Sequence, residues 1–246
     1  MTFLRDFDAY FARTMPPVTR RMLFVLVGVF LLTYLPGIGN VLWALLSLSP
    51  REVFPGFRLW ELLTYGFVHA GFGHLLMNGL GLFFFGPPVE DRLGPRRYLA
   101  MLLLAILAGG VAHVLFHFGA AAPWLVGFSA ANFAILVGCL FFVPNAMVYL
   151  YFLFPVKMKW LVIGYLMIEL AGMFGAGQSN VSHLGHLAGA AVGFAFILLP
   201  RYLAGRRRRP RKGAKVVRSR RLNMGHPGRS ANASELYDDP HWKMDQ

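Results

Sequence analysis

A single cysteine, Cys139, occurs in 246 residues. An internal disulfide is therefore impossible, and so is a zinc site built on paired cysteines. Charge is also scarce: Asp and Glu number 11, and charged residues of both signs make up 14% of the chain, against roughly a quarter in soluble domains. The basic residues are unevenly placed, since 13 of the 24 Lys and Arg residues follow Pro200. What remains ahead of them is an almost uncharged apolar body in a chain that is 57% hydrophobic with a mean hydropathy of +0.53. These shortages exclude a disordered chain, a collagen, a disulfide scaffold and most cytosolic enzymes. The composition is that of a polytopic membrane protein.

A spanning helix needs about 20 mostly apolar residues. Six candidates are found: Arg21 to about Tyr34, about Leu62 to Gly86, about Tyr98 to Phe118, Gly127 to Val143 (closed by Pro144), about Trp160 to Phe174 with a start that extends further back, and about Val181 to Leu203. Val41 to Leu48 is too short to span and reads as an interfacial or re-entrant helix in the first loop. No small-residue cleavage site follows the first apolar run, so it reads as a retained span rather than a signal peptide. The fold class expected is all-α, a polytopic bundle of six transmembrane helices. It is divided into an N-terminal segment 1–20, a membrane domain 21–203 and a basic, disordered tail 204–246.

Orientation follows from the basic residues. The N-terminal segment holds Arg5, Arg13, Arg20 and Arg21, the loop after the second span Arg92, Arg96 and Arg97, and the loop after the fourth Lys157 and Lys159. The opposite loops hold only Arg51 and Arg58. Both termini are therefore expected to be cytoplasmic. The run Arg206 to Arg209, directly after a span, suits anionic lipid headgroups or a simple stop-transfer signal. Nucleic-acid binding is not expected, because no folded module or interleaved aromatics accompany the basic patch.

Polar groups inside spans are costly and point to function. The second span carries His69, His74 and Asn78, the fourth Ser129 and Asn132, and the sixth His183 and His186; Glu169 stands alone in the fifth, with His113 and His117 near the end of the third. In the expected topology the second, fourth and sixth spans all start from the non-cytoplasmic side. Their polar residues then fall at similar depth, near partially positive helix N-termini that favour a developing anion. His74 and Asn78 share a helix face at i, i+4, as do Ser129 and Phe133. Gly185, Gly189 and Gly193 repeat at four residues in the sixth span, and Ala130, Ala134 and Gly138 in the fourth. Such small-residue stripes let membrane helices approach closely. That approach would bring Ser129 to His186, a nucleophile beside its base.

These residues resemble those of the rhomboid intramembrane serine proteases over about Trp60 to Gly193. The stretch Trp60 to His69 is similar to the opening of the family's second helix, and His74 to Asn78 to its HxxxN motif. Gly86, Glu90, Gly94 and Arg96-Arg97-Tyr98 are similar to its cytoplasmic turn. Gly127-Phe128-Ser129-Ala130 resembles GxSG, and His186 to Gly189 followed by Gly193 resembles HxxGxxxG. The resemblance implies that Ser129 attacks the scissile carbonyl, with His186 as general base and acid in a dyad without a third acidic member. It implies that His74, Asn78 and the Ser129 backbone N–H hold the oxyanion, that Phe133 packs on the His186 ring, and that Gly127 and Gly189 shape the site. Substrates would be transmembrane or membrane-proximal segments of other proteins. No metal or cofactor is implied. A bacterial-type plasma membrane, with the site opening to the non-cytoplasmic side, is the expected location. Ala130 departs from the family's glycine, and its added methyl is expected to reduce rather than abolish activity.

Three other readings compete. A lone intramembrane serine commonly bonds back to its own helix, but Ser129 comes with His74, Asn78 and His186. A catalytically inactive rhomboid-like protein that binds transmembrane clients would normally have lost the serine or the histidine. A histidine-based metal or haem protein using His69, His74, His183 and His186 leaves Ser129 and Asn78 without a part, and the chain has no H-E-x-x-H. Glu169 is expected to be neutral or bonded to a neighbouring helix, His183 to line the site, and the His113/His117 pair to reach interfacial water.

Overall fold

The computed structural model describes residues 15–54, 56–118, 123–150, 153–174 and 182–208. Residues 1–14, the start of the sixth expected span at Val181, and the tail beyond residue 208 lie outside the described residues.

The described chain is helical apart from one hairpin. Its elements are α1 (Pro17–Thr33), α2 (Gly39–Leu46), α3 (Pro50–Val53), α4 (Glu61–Thr64) running into a 3₁₀ turn (Tyr65–Phe67), α5 (Phe72–Leu93), α6 (Pro95–Phe116), α7 (Ser129–Phe142), β1 (Met147–Leu150), β2 (Phe154–Lys157), α8 (Met158–Phe174) and α9 (His183–Arg208). Pro17 and Pro95 stand in the first turns of α1 and α6, where a missing N–H costs nothing. Between α5 and α6 the chain turns at Gly94, whose φ of 76° suits only a residue without a side chain.

Among the described residues, α6 and the 183–203 part of α9 are long and apolar enough to cross a membrane. The pair 61–67 and 72–93 makes a third candidate, bent by 92° at its break. The second apolar segment is therefore not one continuous helix from Leu62, as its composition suggested. The stretch Gly66 to Gly73 holds three glycines, each unfavourable in a helix interior by about 1 kcal/mol. The chain extends at Val68 and His69, then starts afresh at Phe72. Two more boundaries differ from expectation. The last helix continues to Arg208 instead of ending near Leu203. The loop after α7 folds into an antiparallel hairpin with Met147 opposite Lys157. The hairpin is tied to the following helix, because the N–H groups of Met158 and Lys159 donate to the carbonyls of Ala146 and Pro144.

α7 is the axis of the packing. Every residue from Phe133 to Cys139 is buried, against α5, α6 and α8. The outward faces of the flanking helices are apolar instead of charged. On α1, Phe24, Val27, Leu31 and Leu32 are exposed, and on α8, Trp160, Met167, Ile168 and Leu170. A surface of that kind is stable against hydrocarbon, where backbone polar groups must be paired within the helices themselves.

Two polar clamps hold the bundle's edges. Buried Glu90 accepts the N–H groups of Val18 and Thr19 at 2.8 and 2.7 Å and the Thr19 hydroxyl at 2.8 Å. A carboxylate on α5 thereby satisfies donors that the first turn of α1 leaves unpaired. At the other clamp the last carbonyls of α2 find side chains from further along the chain. Arg58 donates to Ala44 O at 2.9 Å, the Trp60 indole to Leu45 O at 3.0 Å, and the Thr64 hydroxyl to Leu46 O at 2.8 Å. The short helix in the first loop is thus docked by its C-terminus, consistent with its being too short to span.

Candidate active site

Ser129 opens α7. Its fourteen residues rise about 21 Å, well short of a hydrocarbon layer of about 30 Å. The segment leading to it is pinned on both sides. Leu48 and Leu125 exchange both backbone hydrogen bonds, at 3.0 and 2.9 Å, and the Gly127 N–H donates to Tyr65 O at 3.0 Å. Gly127 has a φ of 116°, and a Cβ on it would stand 2.6 Å from Nε2 of His74. Both the backbone conformation and the crowded space require glycine just before the serine.

α9 crosses α7 closely enough to bring the partner. A Cβ on Gly189 would collide with the Ala130 carbonyl oxygen, and one on Gly193 would meet Ala134 O at 2.8 Å. With the backbones this close, the Ser129 hydroxyl lies 2.7 Å from His186 Nε2. The Phe133 ring, one turn below Ser129, stacks on the His186 imidazole with centroids 4.7 Å apart and planes 18° apart. The imidazole is therefore fixed in plane by an aromatic face and in direction by the hydroxyl. A serine so paired can lose its proton as it attacks.

α5 contributes the facing wall. His74 Nε2 reaches the space over Gly127. Buried Asn78 donates from Nδ2 to the carbonyl of His74 at 3.0 Å, and its Oδ1 accepts from Asn132 Nδ2 at 3.0 Å. Asn132 also donates to Asn78 O at 3.0 Å. With Oδ1 held in that way, the Asn78 amide turns its N–H groups to the other side, and one donor remains after the bond to His74. The first N–H groups of α7 lack intrahelical acceptors, as at any helix start. A Cβ on Gly127 would also lie 3.7 Å from Asn78 Nδ2, so polar groups of α5 stand beside the residue two before Ser129, a placement suited to oxyanion stabilisation.

Residue by residue, Ser129, His186, Phe133, His74, Asn78, Gly127 and Gly189 gather at one locus. His69 does not join it directly. Its ring is fully buried in the α4–α5 break, edge-on to His74 at 5.1 Å. It also lines a cavity of about 450 Å³ formed with Tyr34, Pro36, Asn40 and Trp43. His113 and His117 lie elsewhere: His113 Nε2 faces the Pro123 carbonyl at 3.2 Å and its Nδ1 faces Ser182 Oγ at 3.4 Å, while His117 Nδ1 faces the His113 carbonyl at 3.0 Å. No group of three or more His, Cys, Asp or Glu side chains poised around a metal ion occurs among the described residues.

Three residues act here that the sequence reading left aside. Asn132 orients Asn78; the available signal was an amide in an apolar helix three residues after the serine. Glu169, expected at most to bond a neighbouring helix, places Oε2 2.7 Å from His183 Nδ1 and 3.0 Å from His186 Nδ1. Gly109 on α6 receives the methyl of Ala130, since a Cβ at Gly109 would sit 2.9 Å from it. The extra carbon of Ala130 is therefore accommodated against the backbone of α6 at Gly109.

Comparison with known proteins finds related chains. The family model described as Rhomboid domain matches residues 56–202. Over 151 residues the chain is 34% identical to RHOMBOID-like protein 12, mitochondrial, of Arabidopsis thaliana, an alignment that covers 55% of this chain and 44% of that protein. The chain thus spans less than half the length of that curated relative.

Proposed function

The chain belongs to the rhomboid family, and from that premise we propose that it is an intramembrane serine endopeptidase that hydrolyses peptide bonds in or near transmembrane segments of other membrane proteins. The observation that carries this reading is the 2.7 Å approach of Ser129 Oγ to His186 Nε2 across two helices. An inactive client-binding relative would have no need to keep both groups in bonding geometry.

The chemistry runs in two halves. Ser129 Oγ attacks the scissile carbonyl carbon while its proton passes to His186 Nε2. The carbonyl oxygen becomes an oxyanion beside His74, the free Asn78 N–H and the Ser129 backbone N–H, with the start of α7 contributing its positive end. The C–N bond breaks as His186 returns the proton to the departing amine, leaving an acyl-serine ester. A water molecule then gives its proton to the same nitrogen and attacks the ester, and Ser129 recovers its hydrogen as the new carboxyl group leaves. Phe133 limits the imidazole to the plane in which both transfers occur.

Six spans with both termini cytoplasmic are part of the same reading, and the distribution of Lys and Arg supports it. The site then opens toward the non-cytoplasmic side, as it would in a plasma membrane of bacterial type. The domain division follows: a cytoplasmic segment 1–20, the membrane domain 21–203, and a tail from 204 whose arginines meet anionic lipid headgroups. No metal or cofactor has a part in these steps.

A serine-directed phosphonate tests the reading on the purified full-length chain in detergent or lipid. Labelling confined to Ser129, with cleavage of a transmembrane model substrate that is lost in Ser129→Ala and in His186→Ala, is the expected result. An unlabelled Ser129 with intact client binding would assign the chain to the inactive class instead.

A further inference from the structure

The tautomer of His186 raises a question that the Ser–His pair does not answer. For Nε2 to take the serine proton it must carry the ring's lone pair, so the ring hydrogen must sit on Nδ1. Nδ1 is turned toward α8 and lies 3.0 Å from Glu169 Oε2. The same oxygen is held in line by His183 Nδ1 at 2.7 Å. His186 Nδ1 is buried and makes no aligned hydrogen bond among the described residues. Its contact with the carboxylate is close but oblique, the kind of catalytic hydrogen bond that commonly tightens when substrate binds.

We propose that Glu169 is a positioning residue for His186, so that this chain works with a Ser129–His186–Glu169 arrangement instead of a serine–histidine pair alone. The proposal rests on the protease reading above. The carboxylate holds the ring hydrogen on Nδ1, and it pairs the positive charge that His186 acquires when it takes the serine proton. That proton stays on the imidazole and is not passed to Glu169.

The geometry around Glu169 favours this role over that of an incidental polar residue. A carboxylate inside an apolar span is costly and persists only where it is paired. Glu169 is buried, and its partners among the described residues, His183 and His186, come from the adjacent helix. The two helices meet through matching i, i+3 pairs. Gly172 lies one turn beyond Glu169 on α8, and its missing side chain leaves room for the His183 ring. On α9 the corresponding pair is His183 and His186. His183 therefore anchors the carboxylate, and the spacing sets His186 beside it. The remaining groups facing His186 are Ser129 and Phe133 from α7 and His74 from α5, which lies close enough to interact with it electrostatically. Glu169 is the acidic group in that set.

The test compares wild type, Glu169→Gln and Glu169→Asp in the full-length protein. Removing the carboxylate in Glu169→Gln takes away the group that fixes the ring hydrogen on Nδ1 and pairs the imidazolium charge. Cleavage is expected to fall at least about tenfold, in kcat more than in KM, with partial recovery in Glu169→Asp. Histidine-labelled protein supplies a readout independent of turnover. A downfield Nδ1–H resonance, assigned to His186 by its absence in His186→Gln, is expected in wild type and should shift upfield in Glu169→Gln. If wild-type Ser129 takes the phosphonate while that resonance and kcat are unchanged in Glu169→Gln, the inference is overturned and Glu169 is only a clamp between α8 and α9. If wild-type Ser129 takes no phosphonate, the protease reading fails and the catalytic role of Glu169 fails with it.

Discussion

At the scale of single residues, the site depends on where small side chains point. Ala130 stands where the family resemblance has glycine, yet its methyl packs against Gly109 of α6 while its backbone meets Gly189 of α9. Ala130→Gly is therefore expected to preserve or raise substrate turnover and to lower stability by about 1 kcal/mol, through a lost buried methyl and a freer backbone. Turnover and thermal midpoint measured on the same preparation check both halves, and a large loss of turnover would show that the methyl shapes the site. His74 with Asn78 and Ser129 with Phe133 were legible as pairs one helical turn apart, and His186 was singled out from His183 by its resemblance to the family's HxxGxxxG motif. Glu169 and Asn132 were visible as polar residues in apolar helices, but their partners were not. In a soluble helix the charged face shows which side is buried. α8 carries apolar residues toward lipid as well as toward the bundle, so its sequence does not reveal which side meets α9.

Among the elements, the contact between α7 and α9 has most to do with chemistry. The Ser129 and His186 side chains meet because two backbones approach at Gly189 and Gly193. A methyl at Gly189 would run into the Ala130 carbonyl, and neither backbone can yield without moving its helix. Gly189→Ala is expected to cost about 1–3 kcal/mol in stability and to lower phosphonate labelling of Ser129 by about a hundredfold, because a displacement near 1 Å is enough to disrupt aligned catalytic groups. The labelling rate and the thermal midpoint should fall together. Labelling that persists at the wild-type rate would mean that the pair is positioned by other contacts. The small-residue stripes made this crossing readable in advance. The break between α4 and α5 was less readable, since apart from His69 its residues are as apolar as those of the helices on either side. The hairpin at 147–157 escaped notice for a related reason: Val148, Tyr149 and Val156 suit a strand, but in so apolar a chain they do not stand out against helix and loop.

For the whole molecule, the outstanding physical question is which side of the membrane each end of the bundle faces. Helix lengths do not decide it, because among the described residues only α6, the 183–203 stretch and the bent pair 61–67 with 72–93 reach spanning length by themselves. α1 and α8 have 17 residues each and α7 has 14, short of the about 20 that a span needs. The distribution of basic residues does bear on orientation, and it can be tested at two exposed positions. Phe118, just beyond α6, and Leu153, at the tip of the hairpin, are 68% and 73% exposed, and in the proposed topology they lie on opposite sides. With Cys139 replaced by alanine, Phe118→Cys is expected to react with a membrane-impermeant maleimide in intact spheroplasts, and Leu153→Cys only after permeabilisation. The basic residues Lys157 and Lys159 beside the hairpin and the arginines after α9 oppose translocation of those segments, so the two results should appear together. The opposite pattern would invert the bundle and place Ser129 near the cytoplasmic surface. Substrates would then have to present their cleavage sites from the cytoplasmic side, although the Ser129–His186 geometry would be unchanged.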